Sequence, residues 1–168
     1  MVSEELLEKL NDQMNFEFFS SHAYLALAAY CASESWEGFS NWFVRQAEEE
    51  QAHGMKIFNF INDLGKRATI SGMESPKNDT HSVLEAFESA YAHEQEVTRR
   101  IYALSDIALN EREHATYQFL KWFIDEQVEE ESTVDSIVQR LRRIGNDGNA
   151  LFILDAELGK RGAAPAAQ

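Results

Sequence analysis

The stretch FVRQAEEEQAHGMKIFNFIND, residues 43–63, decides how this chain is read. Its apolar residues recur at helical spacing, yet Glu50 and His53 interrupt the apolar face one turn apart, where both side chains can reach the same ion. A carboxylate costs several kcal/mol to bury alone, so a core keeps one only where something compensates. A metal ion is the natural compensator. The same interruption occurs in three other helical runs, as Glu17, as Glu94, and as Gln127 with Glu130, the last pair again three residues apart. One such position on each of four helices predicts a dinuclear metal centre inside a four-helix bundle. Carboxylates with little nitrogen and no thiolate favour Fe, Mn or Mg over structural zinc, and the imidazole tilts the choice toward transition metals. Redox chemistry on iron is the expectation.

Composition agrees. The 168 residues suffice for one domain with a sizeable core, and 44% are hydrophobic. Fifteen basic against twenty-nine acidic side chains leave a formal charge of -14, which repels nucleic-acid phosphates and anionic membranes and attracts cations. No apolar run reaches membrane-spanning length. The opening residues Met1 to Leu10 are acidic and amphipathic rather than leader-like. The single cysteine, Cys31, can form no internal disulfide, fits a cytoplasmic setting, and reads as a small core residue.

Only Pro76 and Pro165 occur, so long helices are permitted almost everywhere. Periodicity predicts helices from about Glu4 to Ala32 behind Ser3, Trp36 to Leu64 stopping at Gly65, and His81 to Leu109 capped by Asp79 or Thr80. A fourth runs from Glu111 to Ile144, with Asn110 and Glu113 as a capping box and Gly145 as its end. A short fifth helix, about Asn149 to Leu158, completes a domain over 1–158, and residues 159–168 form a flexible tail. Short links make the first and second helices antiparallel, and likewise the third and fourth. The link Lys66 to Thr80 is long enough to cross the whole bundle. An all-α bundle of two antiparallel pairs joined by one long crossover is the ferritin-like connectivity.

The segments LLEKLNDQMNFEFFSSHAYLALAAYC (6–31), FVRQAEEEQAHGMKIFNFIND (43–63), AHEQEVTRRI (92–101) and FLKWFIDEQVEEE (119–131) resemble the four helices of bacterial non-haem ferritins, along almost the entire chain. That resemblance implies an iron-storage protein and a ferroxidase, oxidising Fe²⁺ with O₂ or H₂O₂. Two irons would be bound by Glu17, Glu50, His53, Glu94 and Glu130, with Gln127 beside them. Glu49, Glu126 and Glu129 match a neighbouring third iron site, which Glu130 also serves. Tyr24 matches the family's tyrosine at the centre and Trp122 a nearby tryptophan, both able to donate an electron. The family assembles as a hollow shell of twenty-four subunits around a ferric mineral, with the fifth helix at its fourfold axes.

Departures narrow the resemblance. Haem-containing bacterioferritins place a methionine after the first Glu of the Glu-x-x-His pair and close the site with a second such pair. Here Gln51 and Gln127 to Glu130 stand instead, so haem is not expected and the second metal is held more loosely. A single cysteine excludes the rubredoxin module of rubrerythrins. The miniature ferritins of starved bacteria usually lack the fifth helix and build their site between subunits. Tyr117 and Leu120 occupy the positions where animal ferritins line a threefold channel with acids. Glu48 and Glu131 read as solvated, and His22, His81, His93 and His114 have no partner at ligand spacing. A scaffold with solvated acids and a di-metal oxidase that stores nothing are the rival readings, which particle mass separates.

Overall fold

The computed structural model describes residues 2–163, and among them the only regular structure is helical: α1 (Glu4–Ser33), α2 (Glu37–Asp63), α3 (Val83–Asn110), α4 (His114–Ile144) and the short α5 (Gly148–Leu158). Helix α1 begins where the sequence places its cap, Ser3 Oγ accepting from the amide of Leu6 at 3.0 Å. Helices α2 and α4 end before Gly65 (φ +69°) and Gly145 (φ +59°), left-handed positions that a side chain would strain.

Two predicted starts are corrected. Helix α3 begins at Val83 rather than His81, and Ser82 is its cap, not Asp79 or Thr80. Ser82 Oγ accepts from the amide of Glu85 at 3.0 Å, while the Glu85 carboxylate accepts from the amide of His81 at 2.9 Å, so two exposed N–H groups are satisfied together. Asn110 caps nothing. It is the last residue of α3, whose backbone hydrogen bonding continues through it, and α4 starts at His114 behind Glu113, without a side-chain cap bond. The reversal uses Glu111 to Glu113, with Arg112 at φ 55°.

Contacts between helices fix their directions. Ser3 reaches Glu111, Phe16 lies under Arg100, and Ser20 meets His93, so α1 and α3 run antiparallel side by side. Gln46 meets Glu130, His53 meets Phe123, and Phe60 stacks on Phe119 with centroids 3.9 Å apart, so α2 and α4 do the same. Because α2 ends at the opposite end of the bundle from the start of α3, the connection between them must travel its length. It is tied to α1 on the way: Asn11 Oδ1 accepts from the amide of Thr69 at 2.6 Å and Asn15 Oδ1 from that of Ser71 at 3.0 Å. Helix α5 docks on the start of α2, where Asp155 accepts from the amide of Phe39 at 2.8 Å. A Cβ on Gly38 would lie 1.8 Å from the Asp155 carbonyl oxygen, so this approach requires glycine.

The core is divided in two. One apolar cluster joins Tyr24, Phe39, Phe43, Phe87, Val134 and Leu154, and the other joins Leu6, Leu10, Ile57, Ile101, Leu120 and Phe123. Between them lies a buried polar belt of Gln13, Glu17, Gln46, Glu50, His53, Glu94, Gln127 and Glu130, at the waist of the bundle. Cys31 is buried in the first cluster, where burial pushes its thiol up to about 12, as befits a core residue.

Candidate metal centre

The waist is built from equivalent heights of four helices. Helical spacing turns Glu17, Glu50 and His53, Glu94, and Gln127 and Glu130 inward, and each is buried. Ligand atoms of Glu17, Glu50 and His53 all lie within 4.8 Å of one another, and those of His53, Glu126 and Glu130 form a second such group. Glu50 Oε2 stands 3.5 Å from His53 Nδ1, so the pair three residues apart converges as its spacing requires. Glu94 faces the same space from α3, accepting hydrogen bonds from the Tyr24 hydroxyl and, at 3.1 Å, from Gln127 Nε2. Gln127 Nε2 also reaches the Glu94 carbonyl and Thr98 Oγ1, both at 3.3 Å. In this arrangement Gln127 orients a carboxylate.

Two members of the belt escaped the sequence reading. Gln13 Nε2 donates to Glu17 Oε1 at 2.7 Å, and Gln46 Nε2 donates to Glu50 Oε1 at 3.1 Å and to Glu130 Oε2 at 2.8 Å. Both glutamines precede an inward acid by four residues on the same face, a spacing that could have revealed them. These amides leave work undone. Glu17 Oε2 and Glu50 Oε2 are buried without a hydrogen-bond partner, which is costly for an acceptor and more so for an anion.

Electrostatics follow from that geometry. Burial, reinforced by Glu50, holds Glu17 well above the usual carboxylate range, and burial, reinforced by Glu94 and Glu130, does the same to Glu50. Burial also raises Glu94, against the lowering effect of the Tyr24 and Gln127 hydrogen bonds. Glu130 is pushed up to about 8 by burial, then by Glu94 and Glu49. Burial and then Glu94 raise Tyr24, which therefore stays a neutral donor at physiological pH. Among the described residues, none of the lysine and arginine ion pairs involves Glu17, Glu50, Glu94 or Glu130. The waist therefore needs protons or cations, and imidazole with several oxygens is a donor set for a transition metal.

The residues beside the waist are arranged differently. Glu49, Glu126, Glu129 and Glu130 line one cavity, but Glu129 is exposed, and Glu49 pairs with Arg161 at 2.7 Å instead of joining either close group. Trp122 stands edge-on to His53, centroids 5.5 Å apart, with Lys56 Nζ 4.4 Å over its ring. Of the other histidines, His22, His81 and His114 are exposed, and His93 bonds Ser20 Oγ at 2.7 Å. None of these four belongs to a metal-sized group among the described residues. Of the residues expected to be frayed, Gly159 and Arg161 accept from Asn41 Nδ2 at 3.2 and 3.1 Å, and residues beyond 163 lie outside the described part.

Comparison with known proteins points the same way. Residues 7–144 match the family model described as a ferritin-like domain. The chain is 54% identical to the bacterial non-heme ferritin of Staphylococcus aureus strain USA300, over 96% of this chain and 97% of that one. It is 51% identical, with the same coverage, to the bacterial non-heme ferritin of Staphylococcus haemolyticus strain JCSC1435. Among solved structures, a humanized archaeal ferritin superposes with TM-score 0.97 at 44% identity, covering 98% of this chain and 100% of that one. The open pore ferritin of the hyperthermophilic archaeon Archaeoglobus fulgidus superposes with TM-score 0.95 at 44% identity, covering 96% and 100%. Among the described residues, no helix is long and apolar enough to cross a membrane.

Proposed function

Since the chain belongs to the ferritin family, we propose that it stores iron in the cytosol, each subunit oxidising Fe²⁺ and passing Fe³⁺ to a mineral inside a shell of twenty-four copies. The observation that carries this reading is the buried waist, where carboxylates from four helices converge without a lysine or arginine and two carboxylate oxygens have no hydrogen-bond partner. Iron is the substrate. We assign Glu17, Glu50 and His53, whose ligand atoms converge, to one ion, and Glu94 and Glu130 to its neighbour, with Gln127 beside them. Hard carboxylate oxygens favour Fe³⁺ over Fe²⁺, so the ligand set itself drives oxidation.

In the reaction two Fe²⁺ give one electron each to O₂, which takes up two protons and leaves as H₂O₂; with H₂O₂ as oxidant the same two electrons and two protons yield two waters. The chain's side chains manage the charge. Ion binding displaces the protons that burial holds on the carboxylates, and the Tyr24 hydroxyl keeps Glu94 oriented through its hydrogen bond. In this reading Tyr24 supplies an electron when iron falls short, and Trp122, beside His53, is a second source. Glu126 and Glu129, with Glu49 and Glu130, form a further acidic site that receives a third ion leaving or joining the centre.

The test is an anaerobic Fe²⁺ titration followed by an O₂ pulse, with oxidation read optically. The natural protein should bind two Fe²⁺ per subunit and oxidise them rapidly. Glu50→Ala and His53→Ala should abolish the rapid phase while far-UV circular dichroism stays unchanged. Natural oxidation rates in either variant would refute the assigned centre.

A further inference from the structure

At the mouth of the outer acidic site stands a fixed positive charge that belongs to the chain itself. Arg161 follows α5 and lies across α2, its Nη2 donating to Glu49 Oε2 at 2.7 Å and its Nη1 to the Trp42 carbonyl at 3.3 Å. The guanidinium carbon lies 4.6 Å from the centre of the Trp42 ring, and the Arg161 carbonyl accepts from Asn41 Nδ2 at 3.1 Å. Three contacts from Glu49 and Trp42 hold the side chain, only 21% exposed, against a carboxylate that is 19% exposed, and a fourth from Asn41 holds its backbone. The cavity it enters, of about 530 Å³, is lined by Glu49, Glu126, Glu129 and Glu130.

The arrangement has a direct consequence for cation binding. Glu49 is the one α2 carboxylate of this outer group, and its Oε2 is already engaged by a cation. We propose that Arg161 competes with the third metal ion for Glu49, so that this site completes itself only when Arg161 withdraws. This rests on the outer acids being a cation site, as set out above. Arg161 neutralises Glu49 while the site holds no ion, and it ranks the sites. The inner pair, closed to Arg161, fills first; the third ion enters later, displacing a guanidinium and loosening the segment after α5. The same residue therefore couples occupancy of the outer site to the position of residues 159–163.

The test is anaerobic Fe²⁺ titration of the assembled, mineral-free protein carrying Arg161→Ala, Lys160→Ala or Glu129→Ala. Lys160 lines the same cavity and carries the same charge, but is not paired with Glu49. An ion pair about one-fifth exposed, with a stacked ring, is worth about a five- to thirtyfold change in an equilibrium. Arg161→Ala should therefore tighten the third ion by about five- to thirtyfold and leave the first two unchanged. Lys160→Ala should change it by less than about twofold, as expected of an exposed charge that is not paired with Glu49. Glu129→Ala should weaken the third ion alone.

A third ion bound equally by the natural protein and Arg161→Ala, yet weakened by Glu129→Ala, overturns the role of Arg161 and leaves the outer site standing. An equal gain in Lys160→Ala also overturns it, because general charge would then suffice. Absence of a third ion in all the proteins overturns the outer site and the proposal with it. Amide exchange of the natural protein decides the matter without any variant: residues 159–163 should exchange faster once Zn²⁺, redox-inert, exceeds two per subunit. Unchanged exchange at a filled third site refutes the displacement.

Discussion

Replacing Glu130 by glutamine should stabilise the iron-free protein, by an amount that depends on pH. Glu130 lies in the waist, 6% exposed, and burial followed by the charges of Glu94 and Glu49 raises it from 4.5 to about 8. A carboxyl raised by folding is bound to its proton more tightly in the folded chain, so its contribution is fully present below the unfolded value and is lost as pH climbs through the folded one. Glutamine mimics the protonated form at every pH and keeps an oxygen to accept from Gln46 Nε2, now 2.8 Å from Glu130 Oε2. The variant and the natural protein should therefore match near pH 4 and diverge between about 4.5 and 8. Each tenfold in proton affinity is worth about 1.4 kcal/mol, so the gap should reach on the order of 3 kcal/mol at pH 7 and 5 kcal/mol above pH 8. Guanidinium denaturation of iron-free protein at pH 5, 7 and 9 measures it. Saturating Fe²⁺ should narrow or reverse the order, since ligand at a hundred times Kd adds about 2.7 kcal/mol to whichever protein binds it. A gap that does not widen with pH, or a variant less stable at pH 9, would show that the Glu130 carboxylate is not strained by its surroundings.

Three further outcomes follow from the same site. At pH 7, Fe²⁺ binding should release at least one proton per subunit, because Glu130 with its value of about 8 is mostly protonated there; an indicator dye in weak buffer reads it, and no release would contradict the raised value. Tyr24→Phe removes the hydroxyl that donates to Glu94. It should preserve two Fe²⁺ per subunit but eliminate any tyrosyl radical seen by freeze-quench paramagnetic resonance, so an undiminished radical would assign it elsewhere. Gln127→Glu exchanges the amide that donates to Glu94 at 3.1 Å for another acid. The iron-free protein should lose about 1 to 3 kcal/mol, while the two iron affinities move closer together, and equal affinities in the natural protein would count against the idea.

Much of this molecule is legible in its sequence because its two strongest signals are local. Periodicity locates four long helices, and the glycines at 65 and 145 mark two ends. The inward acids are legible because a charge on an apolar face violates the pattern that folding demands. The starts of α3 and α4 are less legible for a physical reason: Asp79, Thr80 and Ser82 are all competent caps, and only the reach of Glu85 back to His81 selects the last. Asn110 is likewise a good cap by chemistry, but continued α3 hydrogen bonding keeps it helical. Contacts between distant segments leave no local trace. Asn11 and Asn15 holding the crossover, Asp155 capping α2, and Arg161 on Glu49 each join residues more than fifty positions apart. The supporting amides Gln13 and Gln46 fall between these cases, since their spacing to Glu17 and Glu50 is visible in the sequence and the reach of Gln46 across to Glu130 is not.

The division of the core explains why the waist can carry so much uncompensated charge. Each apolar cluster takes side chains from all four long helices, so each closes the bundle independently on its own side of the polar belt. Helix α5 adds Leu154 to one of them. Held from both ends, the helices cannot spread to relieve repulsion among Glu17, Glu50, Glu94 and Glu130, nor collapse to fill the space with apolar atoms. The repulsion must then be answered within the belt, by protons when the site holds no metal and by cations when metal is present. Proton affinity and metal affinity are thus two readings of one stress, and whatever relaxes the clusters should weaken both together. A local change at one ligand alters the stress without touching the packing that creates it, which is why stability and iron binding are expected to move in opposite directions in Glu130→Gln.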